Sequence, residues 1–509
     1  MKRIILMLLL LACGSQLTAE SKPANPKGKI ATYITCKIGA GIKHDTLSLV
    51  LNGPWFNYVL SENQELYASQ TLTAVAGPDG LFRFTIMSGP SPFHVTLYLS
   101  SHRIASGVLM SHGDLSNYLI MPGSDIQADF EADTVTFSGK GAKIFEARYV
   151  VDRSDKNVSL LDDQHLLFAD HHLDQWLKQK DSLLDAHLKV LLAYRPSMPS
   201  IYYSILRADE IGWNRAVVYQ MLGYTLPFFV SGKPLTSELA RVYNDLTRRS
   251  AYIDPGDPAC LSPKYIWYLY QKAKIDTRHD RLLNHTDIFK DYNYSARIIH
   301  DYSGVVRDKL LAWLMIDLAT FNDLKPEYVQ TALAVMKSPQ FIKIVESIRN
   351  TYKKGEPITD FGFKDPQGHT VHLADLKGKV LIVDVWFSGC GPCADVAKGL
   401  PHVEEAFKDR KDVAFVSVSV DKNKEVWLKS ISSSPRGRYF TTSGTTYLYT
   451  DGTAFNNPFI KKYVFAGGVP MLLIIDKSGN MFSATPSRPV DAKGQAQMIQ
   501  QIGQALASK

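Results

Sequence analysis

Val380-Leu381-Ile382-Val383-Asp384-Val385-Trp386-Phe387-Ser388-Gly389-Cys390-Gly391-Pro392-Cys393 is the stretch that decides how the C-terminal part of this chain folds. Its first half is an apolar run of the kind that forms a buried strand. Its second half turns into a helix, predicted from Pro392 to about Phe407 with a bend at Pro401. Two cysteines two residues apart at such a corner can close a small disulfide ring and open it again. Cys390 falls at the helix N-terminus, where free N–H groups and the macrodipole favour an anion. A thiolate there is a nucleophile near neutral pH. Cys393 is close enough to expel whatever Cys390 captures, which is the chemistry of thiol–disulfide exchange.

Two other readings of the cysteine pair are weaker. A zinc site needs a second pair of ligands, and Cys36 and Cys260 stand alone in the sequence. A static disulfide rarely occupies a strand-to-helix corner with Gly391-Pro392 inside its ring. Asp384 lies within the apolar run, six positions before Cys390. An acid is costly to bury there unless it serves chemistry or finds partners. Beneath the second thiol, its pKa is expected to rise by desolvation, so that it exchanges a proton with Cys393. Trp386 is expected to cover the site and hold the loop. Downstream, Gly467-Gly468-Val469-Pro470-Met471 starts another strand. A cis Val469–Pro470 bond would set backbone beside Cys390 and offer the Val469 N–H and C=O to an extended substrate.

Asp384 through Cys393, with Val469-Pro470 downstream, resembles thioredoxin. Asp360-Phe361, Leu376-Lys377-Gly378-Lys379 and the region inserted between strands are more similar to the TlpA-like exported thiol–disulfide oxidoreductases. The resemblance covers residues 355–509. It implies a thioredoxin fold, a surface-exposed attacking Cys390, a resolving Cys393 and a cis-proline at Pro470. It also implies substrate contacts at Trp386, Gly391, Pro392, Val469 and Pro470. The buried acid of thioredoxin matches Asp384. Many TlpA-like proteins carry a glutamate three residues after the second cysteine, where this chain has Val396, so Asp384 inherits the proton relay. Gly389 replaces a frequent tryptophan and opens the approach to the sulfur. Met471 replaces a frequent threonine and is expected to make the rim more apolar.

The chain has 509 residues, which suggests about three domains. Hydrophobic content of 45% and charged content of 21% are those of a folded protein. The net charge of +7 is mild and spread out, so no nucleic-acid partner is indicated. Lys2-Arg3 followed by the apolar Ile4 to Leu11 reads as an export signal too short to span a bilayer. Two processing sites remain open. Leu10-Leu11-Ala12-Cys13 fits a lipoprotein signal, with membrane attachment through lipidated Cys13; Leu17-Thr18-Ala19 fits cleavage after residue 19. The expected location is the periplasm or, as an anchored lipoprotein, the cell envelope. In that oxidising setting a Cys36–Cys260 bridge is an alternative to two buried thiols.

The expected architecture is multidomain. Residues 27–140 show alternating apolar runs, such as Leu81-Phe82-Arg83-Phe84-Thr85-Ile86, separated by turns at Asn52-Gly53-Pro54, Gly77-Pro78-Asp79-Gly80 and Pro122-Gly123. They read as an all-β, sandwich-like domain. Residues 141–350 change to helical period and read as an all-α domain, with helices near Leu173 to Leu192, Thr236 to Arg249, Pro263 to Lys274, Val305 to Phe321 and Pro326 to Met336. Tyr265, Trp267, Tyr268 and Tyr270 are expected to pack between helices. His165, His171, His172 and His187 read as a solvated face. Thr351 to Pro357 reads as a linker into an α/β thioredoxin fold over residues 355–509. The order expected there is hairpin, strand, helix, strand, helix, strand pair, helix.

The expected function is an exported protein-disulfide reductase acting on envelope proteins. Gly391-Pro392 is the thioredoxin dipeptide, and thioredoxin is reducing, at about −270 mV. No dinucleotide glycine motif is present, so no cofactor is expected, and an upstream redox partner would regenerate the dithiol. One alternative is a binding or sensing protein whose redox pair is regulatory. A thiol peroxidase is disfavoured, because its loop needs proline seven residues before the cysteine, where this chain has Val383.

Overall fold

The structure, a computed structural model, describes residues 28–39, 46–51, 70–98, 115–131, 134–154, 173–230, 258–284, 286, 292–320, 323–432, 438–463 and 469–508. The export signal with Cys13, the helix expected over Thr236 to Arg249, the Asn52-Gly53-Pro54 turn, His165, His171, His172 and Gly467-Gly468 lie outside the described residues.

The N-terminal region contains β1 (Ile30–Ile38), β2 (Thr46–Leu51), β3 (Gln70–Val75), β4 (Leu81–Ser88), β5 (Phe93–Tyr98), β6 (Leu115–Ile120), β7 (Asp125–Phe130) and β8 (Val135–Lys140). They form two four-stranded sheets, ordered β4-β1-β7-β8 and β3-β2-β5-β6. Alternation drives their association: Phe82, Phe84 and Ile86 of β4 point inward while Arg83 and Thr85 point out. Those side chains join Leu47, Leu49, Val95 and Leu97 of the other sheet in one core. Cys36 is buried there, and burial pushes its thiol up to about 12. Cys260 lies in the helical core, and neither cysteine is in a disulfide, so the Cys36–Cys260 bridge does not form.

The central region contains α1 (Ala142–Ser154), α2 (Leu173–Tyr194), α3 (Ser200–Val230), α4 (Pro263–Leu283), α5 (Ser295–Asp301), α6 (Gly304–Thr320), α7 (Pro326–Val335) and α8 (Pro339–Thr351). Tyr265, Trp267, Tyr268 and Tyr270 are all buried in its core. At Gly212 the backbone of α3 comes so close to α4 that a Cβ would sit 2.3 Å from the Tyr265 nitrogen, which only glycine permits. His187 departs from the solvated face expected of it. It is buried and bonds Glu210 at 2.8 Å, and Glu210 also pairs with Arg148. Beside this cluster, His94 of β5 bonds Asp209 of α3 at 2.8 Å, which ties sheet to helices. Isolated apolar period does not reveal such a junction, because each polar partner comes from a different element.

The C-terminal region contains β9 (Gly362–Lys364), β10 (Thr370–His372), β11 (Val380–Trp386), α9 (Gly391–Glu405), β12 (Val413–Ser419), α10 (Lys424–Ser430), β13 (Thr446–Tyr449), α11 (Pro458–Tyr463), β14 (Met471–Ile475), β15 (Met481–Ser483) and α12 (Ala492–Ala507). The sheet order is β10-β9-β13-β12-β11-β14-β15. Every residue of β11 is buried, as a central strand covered on both faces requires. It runs parallel to β12 and antiparallel to β14. Leu381, Val383 and Val385 pack against Phe459 and Ile460 of α11. Val380 and Ile382 face Val396 and Leu400 of α9 and Ile502 of α12. The sequence pattern misses β13 and α11, which are four and six residues long and too short to show a period. The expected linker is also more tightly held than its composition suggests. Gly355 N–H donates to Met481 O at 2.8 Å, Met481 N–H to Glu356 O at 2.8 Å, and Ile358 N–H to Gly479 O at 2.9 Å.

Candidate active site

β11 delivers the site by ending where α9 begins. Cys390 is the N-cap of α9, with Pro392 in the first turn, where its missing N–H costs nothing. Cys390 and Cys393 are joined by a disulfide, with Cα atoms 5.3 Å apart. The Cys393 N–H donates to Cys390 Sγ at 3.2 Å, so a free helix donor already points at the sulfur that would carry negative charge. Cys390 is 6% exposed and Cys393 1%. The expected surface-exposed Cys390 is therefore mostly covered in this oxidised state. It still lies at the rim, because Gly389, Gly391 and Pro392 around it are exposed.

The loop before Cys390 is anchored from below. Ser388 donates its N–H to Asp421 Oδ1 at 2.9 Å and its hydroxyl to Asp421 Oδ2 at 2.7 Å. The Gly389 N–H donates to the Tyr439 hydroxyl at 2.9 Å, which donates to the Cys390 carbonyl at 2.9 Å. Gly389 has φ +97° and open space where a side chain would stand. Glycine suits that left-handed backbone, and its absent side chain leaves the sulfur approachable.

Trp386 holds the loop, as expected, but from beneath it rather than over the site. It is 1% exposed and lies under the loop, stacked on Tyr439 at 4.3 Å, with its Nε1–H donated to Ser417 Oγ at 2.7 Å. It supports the loop and presents no surface to a substrate here. The reason is strand parity, which turns Trp386 to the inner face with Ile382 and Asp384. Met471 likewise misses the rim; it is buried in the core on the other side of the sheet.

Asp384 shares the face that α9 covers, between Ile382, which packs on Val396 and Leu400, and Trp386, which packs on Cys390 and Cys393. It is 4% exposed, and its Oδ1 has no hydrogen-bond partner among the described residues. Burial pushes its carboxyl up to about 7. The Val469–Pro470 peptide bond is cis, and the Val469 carbonyl lies 3.9 Å from Cys390 Sγ. Behind it, Arg488 Nη2 donates to the Pro470 carbonyl at 3.2 Å.

Asp384, Trp386, Cys390, Gly391, Pro392, Cys393, Val469 and Pro470 thus gather at one end of the sheet. Asp421, Tyr439 and Arg488 join them without having been foreseen. Asp421 carried one usable signal, since it follows the buried strand β12 at its carboxyl end, where open α/β sheets place their sites. We expect Tyr439→Phe to cost about 1–3 kcal/mol by leaving the Gly389 N–H unpaired and the Cys390 carbonyl with only the Ala394 N–H at 3.1 Å. Denaturant unfolding of the oxidised protein measures this, and an unchanged midpoint would remove Tyr439 from the support of the loop.

The family described as Thioredoxin-like matches residues 378–481. The thiol-disulfide oxidoreductase ResA of Halalkalibacterium halodurans is 27% identical over 75 residues, 15% of this chain and 41% of that protein. The chain thus spans less than half the length of this curated relative. Among solved structures, a protein assigned as a thiol-disulfide oxidoreductase from Bacteroides vulgatus is 32% identical, over 30% of this chain and 93% of that one, with a TM-score of 0.24. A thiol:disulfide interchange protein from a Bacteroides species is 26% identical, over 28% of this chain and 86% of that one, with a TM-score of 0.24. With its cysteine pair capping α9 and this family match across β11 to β15, the C-terminal part of the chain is a thioredoxin-fold domain of the thiol–disulfide oxidoreductases.

Proposed function

We propose that this chain is an exported protein-disulfide reductase acting on cell-envelope proteins. The observation that carries the reading is the pair Cys390–Cys393, with the Cys393 N–H on Cys390 Sγ and the buried Asp384 in the strand that leads to it. The Cys390 thiolate attacks one sulfur of a substrate disulfide. A Cys390–substrate bond forms, the substrate's own S–S bond breaks, and its other sulfur leaves as a thiolate. Cys393 then gives its proton to Asp384 and attacks Cys390 Sγ. The mixed disulfide breaks, the second substrate thiolate leaves, and the Cys390–Cys393 bond closes. The substrate gains two electrons and the pair loses two. An external dithiol partner restores the pair.

Gly391-Pro392 favours the reducing direction. Export rests on Lys2-Arg3 and the apolar Ile4 to Leu11, with either lipidation at Cys13 or cleavage after residue 19. Among the described residues, no helix is long and apolar enough to cross a membrane. In this reading residues 27–140 and 141–350 are separate domains that bring substrates or partners to the domain at 355–509. The test is reduction of insulin by the full chain with dithiothreitol as electron source. Many turnovers per protein are expected. If the Cys390–Cys393 bond is reduced but insulin is not, the pair is regulatory and the reductase reading fails.

A further inference from the structure

A cleft of about 520 Å³ opens against Pro392, between the first turns of α9 and the segment leading into α12. Pro392, from within the disulfide ring, forms part of its wall, together with Val396, Val490, Gln495 and Arg488. That volume lies in the range that accepts a drug-sized group, so several side-chain atoms fit. Asp395 and Lys398 also line it, but they pair with each other at 3.1 Å and are largely exposed. Their charges offset one another.

Arg488 differs from Lys398. No carboxylate pairs with it among the described residues. It donates Nη2 to the Pro470 carbonyl, and its Nε is buried with no partner among the described residues. Burial pulls its pKa below the usual guanidinium value, the mark of a charge that has lost water without gaining a counter-ion. Tyr292 of the helical region lies within electrostatic reach, but it is not a carboxylate. The guanidinium sits behind the cis-proline strand whose Val469 carbonyl faces Cys390 Sγ.

We infer that this cleft receives an acidic side chain of the polypeptide substrate, its carboxylate paired with Arg488, close in sequence to the cysteine that Cys390 attacks. This rests on the reductase reading above and adds a substrate preference to it. A carboxylate fits better than a phosphate. One guanidinium without a counter-ion balances a single negative charge, and the paired Asp395 and Lys398 in the wall add no net positive charge for a second. The faces of Pro392, Val396 and Val490 suit the methylenes of a glutamate. A planar guanidinium also matches a carboxylate in geometry as well as in charge.

The test uses the full, reduced chain and two disulfide peptides that differ only in a glutamate or a glutamine beside the reactive cysteine. We expect the glutamate peptide to be reduced about tenfold faster, the ratio that 1.4 kcal/mol of added interaction gives. Arg488→Gln should bring that ratio close to one, and Arg488→Lys should keep part of it. Equal rates for the two peptides with the wild-type chain would overturn the inference and leave the reductase reading intact. A preference that survives Arg488→Gln would also overturn it. Should the wild-type chain reduce neither peptide, both readings fall. High salt gives a check that needs no variant: it should shrink the wild-type ratio, and a ratio indifferent to salt counts against an ion pair.

Discussion

Cys390→Ser is expected to fold and to reduce no disulfide, a loss on the order of 10⁴-fold or more, because a serine hydroxyl does not ionise near neutral pH. The change is nearly isosteric, so the serine fits the space of the 6% exposed Cys390 side chain. Cys393→Ser should behave differently. The attacking sulfur remains, so the mixed disulfide still forms, but nothing resolves it and the substrate stays attached. Non-reducing electrophoresis after incubation with a disulfide protein separates the two variants. Accumulation of the adduct with Cys390→Ser, rather than with Cys393→Ser, would reverse the assigned roles. The geometry argues for the order given: Cys393 is 1% exposed, and its N–H already serves Cys390 Sγ.

Asp384→Asn should raise stability and lower activity together. The folded carboxyl keeps its proton up to about pH 7, whereas an unfolded aspartate releases it near 3.9. Between those values the folded state binds more protons than the unfolded one, so stability falls as pH rises from about 4 to about 7. Above that window the penalty is complete, at most about 4 kcal/mol for a shift of about three units. Asparagine has the same shape and no charge, so the variant should exceed the wild type at pH 8 and nearly equal it at pH 4. Urea unfolding at the two pH values checks this, and a difference that does not grow with pH refutes the buried-charge account. In catalysis, loss of the proton acceptor should slow resolution of the mixed disulfide by about 10²-fold and leave its formation nearly unchanged. Equal slowing of both steps would take Asp384 out of the proton path.

What was legible in the sequence follows from what is local. The β11 run, the cysteine pair and Val469-Pro470 each signal themselves within a few residues, and so they revealed the C-terminal fold and most of the site. Asp384 was legible because an acid among Val383, Val385 and Ile382 breaks a pattern. Tyr439, Asp421 and Arg488 break none, and their positions matter only after the sheet forms. The same holds for His187 and His94, whose partners Glu210 and Asp209 lie on another element and look like ordinary charges of a surface helix. Trp386 was expected to cover the site and hold the loop; it holds the loop from beneath, because strand parity puts it on the buried face with Ile382 and Asp384.

Residues Gly355 to Ile358 hydrogen-bond to Gly479 and Met481, at the margin of the seven-stranded sheet. Unclaimed margins of this kind invite foreign strands to zip on. The incoming tether therefore doubles as a guard rail: it covers β15 with the protein's own backbone and closes that edge of the sheet to foreign strands.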